Sequence, residues 1–441
     1  MTRVAAGFVG CKVSQADGEE ALAGLAAAGL EPVTTKDAAD VVVVHTCCVT
    51  AEAERKSRRM VRRAASDGKR VVVAGCAAAL RPEQFAGEGI TVAARPDWAA
   101  VALELNDGAR RSPEASPRLS DAVGSSPAAR ATPGVRTRLV LKVQDGCAGV
   151  CTYCVVRLVR GRPRSVPLAQ ALATARDGLG AGCGEVVLSG IDLGAWRDGA
   201  ARLPDLVSSV AELDGLQRVR LSSVEPRHVT PALLDLLRHP RVARHLHVPL
   251  QSADDGVLRH MRRPYTWDGY LRAVRGLRDV PGGAMLSTDL IVGYPMEDEA
   301  AFGRTLAALE SGLFGRAHVF AYSPRPGTAA AELPPLPPAV VKERMGRALA
   351  AAEAAALSAR RSALGREAEV LVEERRDGVW KGYSSEYVRY ALHRGARRGE
   401  LVRVVAHELA GDGVVACTDA GSREAGPPRP ADPTRSEEAD G

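Results

Sequence analysis

The chain lacks any apolar run approaching the ~18 residues of a membrane span, and its start, MTRVAAGFVGCKVSQ, turns polar too early for a secretory leader. These two absences point to a cytoplasmic protein with no membrane partner. A disulfide framework is also missing, because nine cysteines are an odd number and three of them crowd into eight residues. Such clustering suits metal binding in a reducing compartment. Nor is there a large excess of one charge: 59 Lys and Arg against 53 Asp and Glu leave +6 at pH 7, which permits a polyanionic partner without requiring one. What remains is 441 residues, 46% hydrophobic and 25% charged, enough for about two to four globular domains.

The stretch that organises the chain is Cys147-Ala-Gly-Val-Cys151-Thr-Tyr-Cys154. An apolar run, LVLKV, leads through QDG into this loop, as a strand feeds a ligand loop. Three thiols at C-x3-C-x2-C can each take a different iron of a 4Fe-4S cube, leaving the fourth iron open for a guest. Zinc is the plainer alternative, but it asks for four ligands, and no fourth Cys or His follows at knuckle spacing. Three unrelated buried thiols are the other. The spacing, with Tyr153 before the last cysteine, resembles the radical S-adenosylmethionine enzymes, in which the cofactor's amino and carboxylate ends occupy the open iron.

Residues 1–105 alternate strand and helix in the manner of a doubly wound parallel sheet. The runs RVAAGFVG, ADVVVVHT and RVVVAG each end in a cysteine: Cys11, Cys47 and Cys76. Positions just past the carboxyl ends of parallel strands line one crevice, so three separate turns bring three thiols together there. Chance loop cysteines, or a packed Cys76, are the bland reading. Between them, TAEAERKSRRMVRRAAS reads as a helix capped by Thr50, with Arg55, Arg58, Arg59, Arg62 and Arg63 on one face. That stripe suits either phosphates or plain solvent.

Residues 106–134 are rich in Pro, Ser, Ala and Arg and read as a linker. From 135 to 364, six strand-helix units (LVLKVQDG, EVVLSG, RVRLSSVEP, HLHVPLQS, MLSTDLIVGYP, AHVFAYSP) predict a partial (β/α)6 barrel. Polar residues stand at its strand ends: Ser189-Gly190, Ser222-Ser223 with Glu225, Gln251-Ser252, Thr288-Asp289 and Tyr322-Ser323. Singly they are ordinary helix caps. As a ring they form a cofactor and substrate pocket, with Tyr153, Ser189, Gly190, Ser222, Glu225 and Gln251 as candidate cofactor contacts. Arg157, Arg160, Arg162 and Arg164, just after the cysteine loop, suit either an RNA backbone or salt bridges to the rim.

Residues 365–420 change to short β runs and predict a small OB-like barrel. Trp380, Tyr383, Tyr387 and Tyr390, interleaved with Lys381 and Arg389, suit base stacking with cations on phosphates, or ordinary core filling. Acidic and basic residues nearly balance there, so charge does not favour nucleic acid. Residues 421–441 read as a disordered tail.

The motifs GCKVSQADGE, HTCCVT and VAGCAAAL, followed by the cysteine loop and the terminal barrel, resemble the methylthiotransferase family of radical S-adenosylmethionine enzymes over nearly the whole chain. The resemblance implies an auxiliary 4Fe-4S cluster on Cys11, Cys47 and Cys76, and a radical 4Fe-4S cluster on Cys147, Cys151 and Cys154. It implies a C-terminal TRAM domain that grips RNA together with the arginine stripe, through Lys381, Tyr383 and Arg389, and two S-adenosylmethionine molecules per turnover. It also implies tRNA as partner, a sulfur source, and an electron donor such as flavodoxin or ferredoxin. Cys48, Cys183 and Cys417 have no place in the pattern and are read as structural. SSVEP at Ser222 to Pro226 and HLHVPLQSADDGVLRHMRRPYT from His245, with Ser252 after the PLQ glutamine, resemble the branch acting on N6-threonylcarbamoyladenosine beside the tRNA anticodon. Other branches act on isopentenyl-adenosine in tRNA or on a ribosomal-protein aspartate; a non-catalytic iron-sulfur RNA-binding protein is a more distant reading. His45, Ser14 and Met296 stand where the family usually has Asn, Asn and Gly.

Overall fold

The computed structural model describes residues 1–106, 136–393 and 395–418. The linker expected over 106–134, apart from Asn106, and the tail expected over 421–441 lie outside the described residues.

The first unit is a five-stranded parallel sheet of β1 (Arg3–Phe8), β2 (Glu31–Pro32), β3 (Val41–Thr46), β4 (Arg70–Gly75) and β5 (Ile90–Val92), in the order β2-β1-β3-β4-β5. Its central strand carries four consecutive valines, all buried, because helices cover both faces. On one face α1 (Lys12–Ala27) and α4 (Trp98–Asn106) pack Leu25, Val101 and Leu105 against Val41 and Val43; on the other, α2 (Ala51–Ser66) packs Val61 and Ala64 against Val42 and Val44. Thr50 caps α2 by accepting from the Ala53 amide, and Glu52 and Glu54 stand in its first turn. The helix α3 (Cys76–Leu80) starts directly at the end of β4.

The second unit is a curved row of six parallel strands in chain order: β6 (Arg138–Asp145), β8 (Glu185–Gly190), β11 (Arg218–Leu221), β12 (His245–His247), β13 (Met285–Val292) and β14 (Arg316–Ala321). The bridges Val219–Val242 and Ser223–His247 join its two hydrogen-bonded halves. Short pieces decorate it: β7 (Arg164–Ser165) lies antiparallel to the end of β6, and β9 (Arg197–Asp198) pairs with β10 (Ala201–Arg202). Strand alternation divides the residues. Leu139, Leu141, Val186, Leu188, Val219, Leu246, Leu286 and Leu290 join the apolar core against the outer helices. The alternate positions carry Lys142, Glu185, Arg218, Arg220, His245, His247 and Asp289, so the concave side is polar. β6 and β14, the two ends of the row, do not pair with each other among the described residues. The concave side receives α1 instead: Ala16 packs on Val140 and Val187, while Asp17 and Glu20 bind Lys142 at 2.6 and 2.8 Å.

The third unit is a closed five-stranded barrel, in the order β15-β16-β17-β19-β18, of β15 (Glu367–Arg376), β16 (Val379–Ser384), β17 (Arg389–Leu392), β18 (Leu401–Ala410) and β19 (Gly413–Thr418). Val370, Val372, Leu392, Val404 and Val414 fill it, together with Tyr390, which is core. It docks at the starts of the barrel strands through arginine. Arg218 donates to the Tyr383 and Glu369 carbonyls and Arg220 to those of Ser384 and Ser385, while both hold the buried Glu185.

Candidate functional site

The loop after β6 is shaped by Gly146, whose φ of +74° and whose packing leave no room for a side chain: a Cβ would lie 2.1 Å from the Arg162 carbonyl. Cys147 donates its amide to Gly161 and Cys154 donates to Cys151, folding the loop on itself. Thr152 ties it to the barrel by hydrogen bonds to the Met261 and His260 carbonyls and the Tyr294 hydroxyl. Cys147, Cys151 and Cys154 then line one cavity of about 300 Å³. Gly149 sits among the thiols, where a side chain would meet the Cys147 Sγ at 3.1 Å and the Cys151 Sγ at 3.7 Å. Burial raises the Cys147 thiol and pushes Cys154 to about 12, helped by its neighbouring thiols. Protonated thiols crowded in this way are what a metal centre relieves by binding thiolate.

Of the six expected cofactor contacts, Tyr153, Glu225 and Gln251 line this cavity. Ser189, Gly190 and Ser222 do not. Their strands bury them one step below the rim, and Ile191 and Ser223, the next residues along, reach it instead. Gln251 adopts φ +72°, a left-handed conformation rarely held by a non-glycine residue, and is locked by amide exchange with Asp289 and Ile291. The Tyr322 hydroxyl lines the cavity buried and without a partner among the described residues. Arg263 was not foreseen. Its guanidinium donates to the Cys151 Sγ at 3.3 Å and to the Tyr265 hydroxyl, and pairs with Glu225. Burial nevertheless raises the Glu225 carboxyl. MRRPYT is part of the run that resembles the threonylcarbamoyl branch, but this arginine reaches the site because its segment folds back against the loop.

Cys11, Cys47 and Cys76 follow the ends of β1, β3 and β4, which are neighbours in the sheet, so ~4.8 Å strand spacing sets the thiols side by side. Gly10, at φ +121°, presses its turn on Cys47, whose Sγ is 3.0 Å from where a Cβ at that glycine would stand. Cys11 is exposed while Cys47 and Cys76 are buried. Burial pushes the Cys47 thiol to about 12, with Cys76 and Cys11 adding to it. Cys76 lies below the usual thiol range, through a hydrogen bond from Cys48 and then Arg160, whose Nε is 3.1 Å from its Sγ. Cys48 is fully buried in the apolar core, as is fitting for a structural thiol. His45 is buried beside Trp98 with both ring nitrogens unpartnered among the described residues, in the lining of a second cavity of about 740 Å³ that also reaches Cys76.

The two cysteine-bearing units meet at the cavity of the cysteine loop. Val49 and Thr50, just past Cys47, line the same cavity as the cysteine loop. The closure is held by Arg325, which pairs with Glu54 at 2.9 Å and donates to the Cys48 carbonyl, and by Ser323, which accepts from the Ala51 amide. Among the described residues no three His, Cys, Asp or Glu side chains converge on a single-ion position. A cubane cluster does not ask for that, since each thiolate takes a separate iron. The donor set of the loop, three soft thiols under an open cavity with polar groups opposite, fits such a cluster with a small-molecule guest.

A model described as Radical SAM superfamily matches residues 141–309, and one described as Uncharacterized protein family UPF0004 matches residues 3–94. The threonylcarbamoyladenosine tRNA methylthiotransferase MtaB of Thermotoga maritima is 32% identical over 92% of this chain and 95% of its own. The chain belongs to the radical S-adenosylmethionine methylthiotransferases. It is a transferase, and the family implies a 4Fe-4S cluster and S-adenosylmethionine. The tRNA-2-methylthio-N(6)-dimethylallyladenosine synthase of Cereibacter sphaeroides is also 32% identical, over 90% of this chain and 93% of its own. Among solved structures, the radical S-adenosylmethionine methyltransferase TsrM of Kitasatospora setae superposes with a TM-score of 0.54 at 15% identity, covering 75% of each chain, which is a likeness of fold.

Two expectations about RNA contacts in this methylthiotransferase need correction. Arg55, Arg59, Arg62 and Arg63 are exposed on α2, but Arg58 turns to Gln84 and Glu54. In the third unit Tyr383 does not face outward: it stacks on Tyr387 at 4.9 Å with Arg138 over its ring, and Tyr387 is covered by Arg220 and Lys12. These aromatics are consumed by the junction between units, because buried arginines need π faces and carbonyls. Arg389 pairs with Asp412 and Glu374, and Lys381 is half-buried. The loop arginines divide too, for Arg160 binds Asp17 and Asp145 and Arg164 approaches Asp145.

Proposed function

We propose that this methylthiotransferase acts on tRNA, converting N6-threonylcarbamoyladenosine next to the anticodon to its 2-methylthio derivative. The reading rests on the meeting of the two cysteine-bearing units at one cavity, where Val49 and Thr50, the second and third residues past Cys47, line the same space as Cys147, Cys151 and Cys154. Residues 1–105 hold an auxiliary cluster on Cys11, Cys47 and Cys76, residues 135–364 hold the radical cluster on Cys147, Cys151 and Cys154, and residues 365–420 and the exposed α2 arginines hold RNA. The substrate branch is supported by SSVEP and by Ser252 after PLQ; the relatives divide between threonylcarbamoyl and dimethylallyl substrates at equal identity.

Carbon 2 of adenine is neither acidic nor electrophilic enough for acid-base substitution, so replacing its hydrogen by sulfur needs the one-electron cleavage that S-adenosylmethionine supplies when bound at a cluster. The chain's residues prepare that chemistry. Arg263 neutralises charge at the Cys151 sulfur while Glu225 steadies its guanidinium. Gln251, Ser223 and the unpartnered Tyr322 hydroxyl offer hydrogen bonds to a bound molecule. Val49, Ile191, Ile291 and Phe320 give the lining its apolar part, with Val49 and Phe320 exposed. An unstacked anticodon-loop base is the part of the RNA that can enter such a cavity. A sulfur source and an electron donor of flavodoxin or ferredoxin type complete the cycle.

The test is anaerobic assay of single-cysteine variants. Cys151→Ala is expected to abolish 5′-deoxyadenosine formation, and Cys47→Ala to retain it while losing methylthio product. Methylthiolated tRNA from both variants would refute the two-cluster reading, and nucleoside mass spectrometry of tRNA from a deletion strain would reveal a wrong substrate branch.

A further inference from the structure

Three guanidiniums border the cavity, those of Arg157, Arg263 and Arg325. Two are committed. Arg263 is held by Glu225, Tyr265 and Cys151, and Arg325 by Glu54, Ser323 and two carbonyls. The cavity's carboxylates are committed as well, Glu225 to Arg263 and Asp289 to the His247 ring at 3.1 Å. Arg157 is different. It stands three residues past Cys154 in the short helix α5 (Val156–Arg160), and its side chain makes no hydrogen bond or ion pair among the described residues.

Arg157 is exposed at the border of the cavity, so water solvates it when no ligand is bound; a ligand that brings an anion into this partly apolar space replaces that water, and carboxylate is the group whose two oxygens fit its paired N–H donors. Resting on the substrate reading above, we infer that Arg157 binds the carboxylate of the amino-acid substituent on the target base. It is thereby a specificity residue, favouring a carboxylate-bearing side chain over a neutral alkenyl one. The preference has a repulsive half too. An alkenyl substituent entering the same space would strip water from Arg157 and return nothing, the kind of unpaired polar group by which sites reject near-isosteres.

The experiment compares three anticodon stem-loops on the full chain with reconstituted clusters: one bearing threonylcarbamoyladenosine, one with its carboxylate converted to the carboxamide, and one bearing isopentenyl-adenosine. Arg157→Gln is expected to weaken both binding and kcat/KM on the carboxylate RNA by about 10- to 100-fold, with a much smaller loss on the carboxamide RNA, and Arg157→Lys to fall between. Equal loss on the carboxylate and carboxamide RNAs would overturn the inference in favour of a phosphate contact. A raised S-adenosylmethionine requirement that is the same on every RNA would overturn it in favour of a cofactor contact. Were the unaltered chain to modify only the isopentenyl RNA, the substrate reading itself would fall. Were it to modify threonylcarbamoyl RNA while Arg157→Gln kept the full preference, the inference alone would fall.

Discussion

Asp17 on α1 is the hinge on which the first unit meets the barrel. It is buried, with Lys142 at 2.6 Å and Arg160 at 2.7 Å. Burial alone would raise its carboxyl, but Lys142 and Arg160 outweigh that and hold it well below the usual carboxylate range. Glu20, the other acid on Lys142, behaves oppositely and is raised by burial, so the Asp17 arm carries the attachment. Asp17→Asn removes one partner from two cations. A fully broken buried pair costs about 3–5 kcal/mol. Lys142 keeps Glu20 at 2.8 Å and Arg160 keeps Asp145 at 3.5 Å, which reduces the expected loss to about 2–4 kcal/mol. Hydrogen exchange of the α1 amides, read by mass spectrometry, should then speed up by about 30- to 1,000-fold. The pH sign follows from the depressed pKa: the contribution is complete above the unfolded carboxylate value near 3.9 and is lost as pH falls toward the lower folded one. Exchange changed by less than about threefold would show that α1 is held by its apolar packing and the Glu20–Lys142 pair, without Asp17.

Gly146→Ala should distort the cysteine loop, since its Cβ would meet the Arg162 carbonyl; iron content after anaerobic reconstitution should fall, and a full complement of iron would contradict the assigned geometry. Reversing Arg55, Arg59 and Arg62 to Glu should weaken tRNA binding and flatten its salt dependence by about 1 in log-log slope per lost phosphate contact; an unchanged slope would return the stripe to solvent. Arg220→Met leaves the buried Glu185 to Arg218 and Arg138 and frees two carbonyls of the terminal barrel, so limited proteolysis should release that barrel sooner than from the unaltered chain. Equal proteolysis rates would mean that Arg218 suffices.

The amino-acid sequence alone settled what local pattern can settle. The valine run of β3, the Thr50 cap, the Cys-x3-Cys-x2-Cys loop and the alternating short runs of the terminal barrel each announce their element within ten residues or so. Strand-end positions for Cys11, Cys47 and Cys76 were readable for the same reason. Tertiary packing decided what depends on partners distant in the chain. It placed Arg263 against Cys151, turned Tyr383 and Tyr387 from an RNA face into a domain junction, moved the rim from Ser222 to Ser223, and left Arg157 alone of the cavity's cations without an anion. A one-residue shift along a strand exchanges buried for exposed, and a guanidinium takes whichever acceptor folding brings within 3 Å of it. Neither outcome is written in local spacing.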